Sequence, residues 1–156
     1  MANSNEICAS FKSELMLGAH QLGTVTIVSR TSLTAPTTDT IKAALYLASA
    51  TINKSTTAYT ATGEIGNSGT YAAGGATVTN ATAPTNDGTT AYWTPSAALA
   101  WTGVTATAFD CVLFYNSTQS NRSIAAYTFG SQTVTAGNIT LSMPTNNGTT
   151  GLLRIA

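Results

Sequence analysis

A chain of 156 residues and 15.9 kDa is long enough for one domain to bury most of its surface without disulfide or metal support. Only 8 % of the residues are charged, six Lys+Arg against six Asp+Glu, which excludes a nucleic-acid partner bound by phosphate neutralisation and a polybasic membrane anchor. The 31 threonines favour strands, and a hydrophobic fraction of 43 % at zero net charge is the reverse of a disordered composition.

A neutral surface also lacks the repulsion that keeps copies apart, so a homo-oligomer or a larger assembly is expected. No run of apolar residues is long enough to span a membrane as a helix; Ala108–Tyr115 is interrupted by Asp110. The first 23 residues show no basic leader followed by an apolar block, which points to synthesis and retention in a cytoplasm.

The first element reads as a helix over Ile7–Leu17. Ile7, Phe11 and Leu15 recur at i, i+4 and i+8 beside Cys8, while Glu6, Lys12, Ser13 and Glu14 fall largely on the other side. Asn3 or Ser4 can cap its start and Gly18 is placed to end it. Residues 1–22 are therefore expected to form a helical arm. Its stripe of Ile7, Phe11 and Leu15 is a candidate docking interface for a neighbouring subunit, the alternative being that it covers the chain's own sheet.

From residue 23 onward the signals are strands and turns. Thr24–Arg30 alternates as a strand, and Leu33–Asp39 reads as a loop around Pro36. Ile41, Ala43, Leu45 and Leu47 form one face of the next strand and Lys42, Ala44, Tyr46 and Ala48 the other. Ile52–Ala76 is punctuated by glycines and reads as a surface excursion. A short strand near Ala76–Thr82, a turn over Ala83–Gly88 and a strand stopped by Pro95 follow. Ala106–Asn116 is apolar on both faces and is expected at the centre. Separate pieces are expected at Ser123–Gly130, Val134–Ala136 and Asn138–Pro144, with a last strand around Leu153 and Ile155. About eight short strands predict an all-β fold, a jelly-roll-like β-sandwich over residues 23–156, with one short N-terminal helix.

Chemistry-bearing patterns are sparse. His20 is the sole histidine, and no nucleophile elbow accompanies it. Cys8 and Cys111 match neither a zinc nor a redox spacing and are expected as buried thiols. Glu6, Glu14, Asp39, Glu64, Asp87 and Asp110 are singletons without a metal-loop spacing, and the Gly-rich stretch lacks the Lys and following helix of a phosphate loop. No catalytic, cofactor-binding or metal-ligating residue is assigned. Tyr46, Tyr59, Tyr71, Tyr92, Trp93, Trp101, Tyr115 and Tyr127 could build a ring platform for sugars, which keeps a carbohydrate-binding module as a second class.

The order of FKSELMLGAHQL, the YTATGE and YAAGGATV block, the FYNST and AYTFGS block and the terminal LLRIA resembles a group of small tailed-bacteriophage virion proteins over about Phe11–Ala156. The resemblance implies a structural, non-enzymatic role in the virion after assembly in the host cytoplasm. Its implied post is capsid decoration, as a cement protein against the major capsid protein or other virion proteins, with a tail, neck or fibre component as the alternative. Members of the group often carry an Arg just before the buried strand. Thr105–Phe109 is neutral here, so no ion pair at that point is implied.

Overall fold

The computed structural model describes residues 3–8, 11, 15, 20, 22–23 and 37–156. Among them are eight strands: β1 (Glu6–Ile7), β2 (Ile41–Leu47), β3 (Ala76–Thr77), β4 (Thr85–Asn86), β5 (Ala91–Trp93), β6 (Leu99–Asn116), β7 (Arg122–Leu141) and β8 (Leu153–Ile155). They form two antiparallel sheets, one ordered β1-β7-β6-β2-β3 and the other β4-β5-β8. The all-β, sandwich-like architecture expected from composition is what the chain adopts. The expected strand at Thr24–Arg30 and most of the loop after it lie outside the described residues.

The β6–β7 hairpin is the spine. Its turn is set by Asn116, whose side-chain oxygen accepts the N–H groups of Thr118 and Gln119, both at 3.1 Å, while Ser120 and Asn121 take the left-handed conformation. Away from the turn the two strands stay paired through a series of register shifts, from Cys111↔Thr128 to Leu99↔Leu141. Gly130 and Ala136 on β7 and Gly103 and Ala108 on β6 all have positive φ at these shifts. β7 is therefore one strand of 20 residues instead of the three pieces the sequence suggests, because Gly130 and Gly137 fall within the β7 ladder instead of terminating strands.

β2 and the turn-proximal half of β6 are buried on both faces. On one side Ile41, Ala43, Leu45, Val112 and Phe114 meet Trp93 and Leu153 of the small sheet, together with Cys8 and Phe11. On the other Ala44, Tyr46, Cys111, Leu113 and Tyr115 meet Ala50 and Ile52. The alternation read in Ile41–Leu47 is thus real, and both of its faces are interior.

The second face is covered by the Gly-rich stretch. It is a strap instead of a surface excursion: Ile52 and Tyr59 pack on this face, and Ile65 and Tyr71 are buried in the core of the first. Two glycines allow it to lie close. A Cβ at Gly75 would sit 1.9 Å from the Ala43 carbonyl oxygen, and one at Gly69 would sit 2.1 Å from that of Thr102. Ser68 and Thr70 also satisfy the edge of β6 beyond the end of β2: the Thr102 N–H donates to Thr70 Oγ1 at 2.8 Å and the Thr105 N–H to Ser68 Oγ at 2.7 Å.

Two stability outcomes follow from this packing. Phe114 is 2 % exposed in the doubly buried, turn-proximal part of β6, so Phe114→Ala is expected to cost about 3–5 kcal/mol in denaturant titration. Ala136 is exposed and held at φ 47°, so Ala136→Gly removes a left-handed strain and is expected to raise stability by about 0.5–1 kcal/mol.

Candidate functional site

The N-terminal arm is stitched into the domain. β1 pairs with β7 at Glu6↔Ala126 and Ile7↔Ala125, and the Cys8 N–H donates to the Ile124 carbonyl at 3.1 Å. Ile7 is therefore a strand residue, and the helical periodicity misreads it; Phe11 and Leu15 are helical. Of the candidate docking residues, Phe11 is 1 % exposed within the chain's own core, and Ile7 and Leu15 are partly buried against the same cluster. Asn3 secures the start of the arm. Its amide donates to Asp110 Oδ1 at 2.6 Å and to the Leu47 carbonyl at 3.1 Å, and its oxygen accepts the Ile52 N–H at 2.9 Å.

His20 sits where the arm meets the hairpin turn. Its ring packs edge-on against Phe11 at 4.8 Å, and its Nδ1 lies 3.0 Å from the Asn116 amide nitrogen. Asn116 donates to Asp39 Oδ2 at 2.6 Å, and Gln119 donates to Asp39 Oδ1 at 3.2 Å. The Asp39 carboxylate is buried, so these donors replace the water it has lost. Beside this knot Phe11, Leu15, His20, Trp93, Leu153 and Ile155 line a mainly apolar cleft of about 220 Å³.

The second polar centre is Glu64, in the strap. Tyr59 donates to Glu64 Oε2 at 2.6 Å, and Tyr71 and the Gly74 N–H both donate to Oε1 at 2.7 Å. The Tyr71 hydroxyl in turn accepts the Leu45 N–H at 2.9 Å. Tyr115 donates to the Gly74 carbonyl and Tyr46 to the Thr60 carbonyl, both at 2.6 Å. One carboxylate thus gathers the strap and pins it to β2. Burial, reinforced by hydrogen bonding to Glu64, raises the Tyr71 phenol well above its ordinary range. The Tyr59 phenol rises for the same causes, and burial does the same to Tyr46. Burial also pushes the Cys111 thiol up to about 12, with Asp110 contributing, and leaves it a core residue without thiolate character.

The other two described carboxylates of the domain are equally engaged. Asp110 accepts from Asn3, and Asp87 accepts the Thr89 and Thr90 N–H groups at 3.1 and 2.9 Å. The Thr90 and Thr89 donors hold the Asp87 carboxyl below the usual carboxylate range. The aromatic residues that could have formed a sugar platform are interior or half-buried: Tyr46, Tyr71, Trp93, Trp101 and Tyr115 are at most 3 % exposed.

Sequence reasoning missed the Glu64 centre. The available signal was a single carboxylate among Tyr59, Tyr71 and closely spaced glycines in a chain with only six acidic residues. An apolar groove of about 330 Å³ was also missed. It runs along the distal hairpin between Leu45, Phe109, Phe129, Val134, Ile139 and Leu141, with Phe129 38 % exposed. Compared with known proteins, the chain matches no family model, no curated protein and no solved structure.

The tyrosine centre gives the protein a specific alkaline response. A tyrosine freed by unfolding ionises near its ordinary value of about 10, whereas Tyr46 and Tyr71 keep their protons in the fold. Above that pH the unfolded chain binds fewer protons than the folded one. The contribution is whole below about pH 10 and is lost as pH rises beyond it. Denaturant midpoints should therefore fall from about pH 10 upward. Tyr71→Phe, which strands the Leu45 N–H and one bond to Glu64, should cost about 1–3 kcal/mol at neutral pH and flatten that fall.

Proposed function

We propose that the chain is a non-enzymatic structural protein of a tailed-phage virion, decorating the head lattice as a cement protein in contact with the major capsid protein. The observation that carries this reading is the use to which the titratable groups are put. Asp39, Glu64, Asp87 and Asp110 each accept hydrogen bonds that close a turn, a strap or an arm. Groups engaged in this way support a rigid body better than they support proton transfer. The motif order of the sequence, which resembles small virion proteins, points the same way.

A cement protein needs a stable body and a surface that adheres to its neighbours by shape and backbone pairing. Threonine-rich strands, 8 % charge and the apolar groove beside Phe129 suit that work. Attachment of this kind depends little on ionic attraction. Purified protein added to heads that lack it should bind in many copies, and raising NaCl from about 0.05 to about 0.5 M should not release it. Release by salt would make the interface ionic and overturn the reading. A stoichiometry of only a few copies per particle would move the protein to the neck, tail or fibre.

A further inference from the structure

We infer that Tyr59 and Tyr115 form an oxidative modification site, at which one-electron oxidants join the two rings into an intramolecular dityrosine cross-link between the strap and β6. The two rings are stacked, with centroids 4.8 Å apart and planes 23° from parallel. Their hydroxyls converge on one spot: Tyr59 donates to Glu64 Oε2, Tyr115 to the Gly74 carbonyl, and the Gly74 N–H to Glu64 Oε1. Rings stacked with their hydroxyls together also bring together the carbons ortho to those hydroxyls, which are the carbons that couple. Tyr59 is half-buried and within reach of a small diffusible oxidant, while Tyr115 behind it is 2 % exposed.

Glu64 makes the first step favourable. When Tyr59 gives one electron to the oxidant, its phenolic proton can pass along the 2.6 Å hydrogen bond to the carboxylate. A neutral radical then remains where a cation in a partly dry site would be costly. That radical adds to the ortho carbon of Tyr115 and forms a carbon–carbon bond. A second equivalent of oxidant removes one more electron, and a second proton leaves. The two ring protons at the new bond move to oxygen, restoring both phenols. Two electrons and two protons are lost in total, so the product is lighter by two hydrogen atoms. Among the described ring contacts no other pair can do this: Tyr71 faces Trp101 at 5.5 Å and 54°, and Tyr127 faces Phe114. The inference does not depend on the virion role, because it rests on the tyrosine geometry alone.

The test oxidises the dilute full-length protein with light, tris(bipyridyl)ruthenium(II) and persulfate, and examines the monomer band after denaturing electrophoresis. The expected result is dityrosine fluorescence in the monomer, with the loss of two hydrogen atoms mapped to the peptides holding Tyr59 and Tyr115. Tyr59→Phe should abolish both signals while keeping the ring stack, and Tyr92→Phe should leave them unchanged. The cross-linked monomer should melt about 5 °C above the untreated protein, since the link constrains the unfolded chain. The inference is overturned if the wild-type monomer gains no such link, if Tyr59→Phe gives the wild-type yield, or if protein unfolded in urea cross-links as efficiently as the folded one.

Discussion

Everything in this molecule is arranged around a strand that tolerates water on neither face. From Cys111 to Asn116, β6 places Val112 and Phe114 on one side and Cys111, Leu113 and Tyr115 on the other, all within 2 % of full burial. Such a strand is stable only when two separate covers are provided. The small sheet and the N-terminal arm supply one, through Trp93, Leu153, Cys8 and Phe11. The strap supplies the other, through Ile52 and Tyr59. The covers differ in kind. The first is apolar packing between sheets, whereas the second is irregular backbone that must find partners for its own polar groups before it can lie on a sheet.

Glu64 solves that second problem. A strap of some 25 residues without regular structure would leave many polar groups unmatched; Glu64 collects the Tyr59 and Tyr71 hydroxyls and the Gly74 N–H, Tyr71 also accepts the Leu45 N–H, and Tyr46 and Tyr115 donate to the carbonyls of Thr60 and Gly74. Asp39 does the same at the hairpin turn, with Asn116 and Gln119 as donors. Hydrogen bonds to carboxylates are about twice as strong as neutral ones, so a few acidic groups can organise long loops. The low charge of the chain therefore does not mean that charge is unimportant to it. Asp39, Glu64 and Asp110 spend their charge on the fold's own hydrogen bonds.

How much of this is legible in the sequence depends on whether a signal is local. The two faces of Ile41–Leu47 and the double burial around Leu113 follow from side-chain alternation, which a single strand carries by itself. Ile7 is misread because its helical spacing with Phe11 and Leu15 is genuine, yet β7 offers an edge at Ala125 and Ala126 that satisfies its backbone first. Gly130 and Gly137 read as breaks because nothing in β7 announces that Gly103 and Ala108 shift the partner strand in compensation. The Glu64 centre is hidden for the same reason. Its meaning lies in the approach of the strap to β2, a contact between segments that sequence does not place side by side.

The distal hairpin shows what a nearly uncharged chain does with an exposed sheet edge. Proteins usually protect such edges with lysine or proline, and neither occurs between Thr128 and Leu141. Other devices take their place. Ser68 and Thr70 close the edge of β6, the Asn5 side chain accepts the N–H and hydroxyl of Thr128, and register shifts at Gly130 and Ala136 interrupt the ladder. Bulges and caps hinder an endless stack of identical strands, but they create none of the long-range repulsion that charge provides. A surface protected in this way discriminates among neighbours by shape at short range.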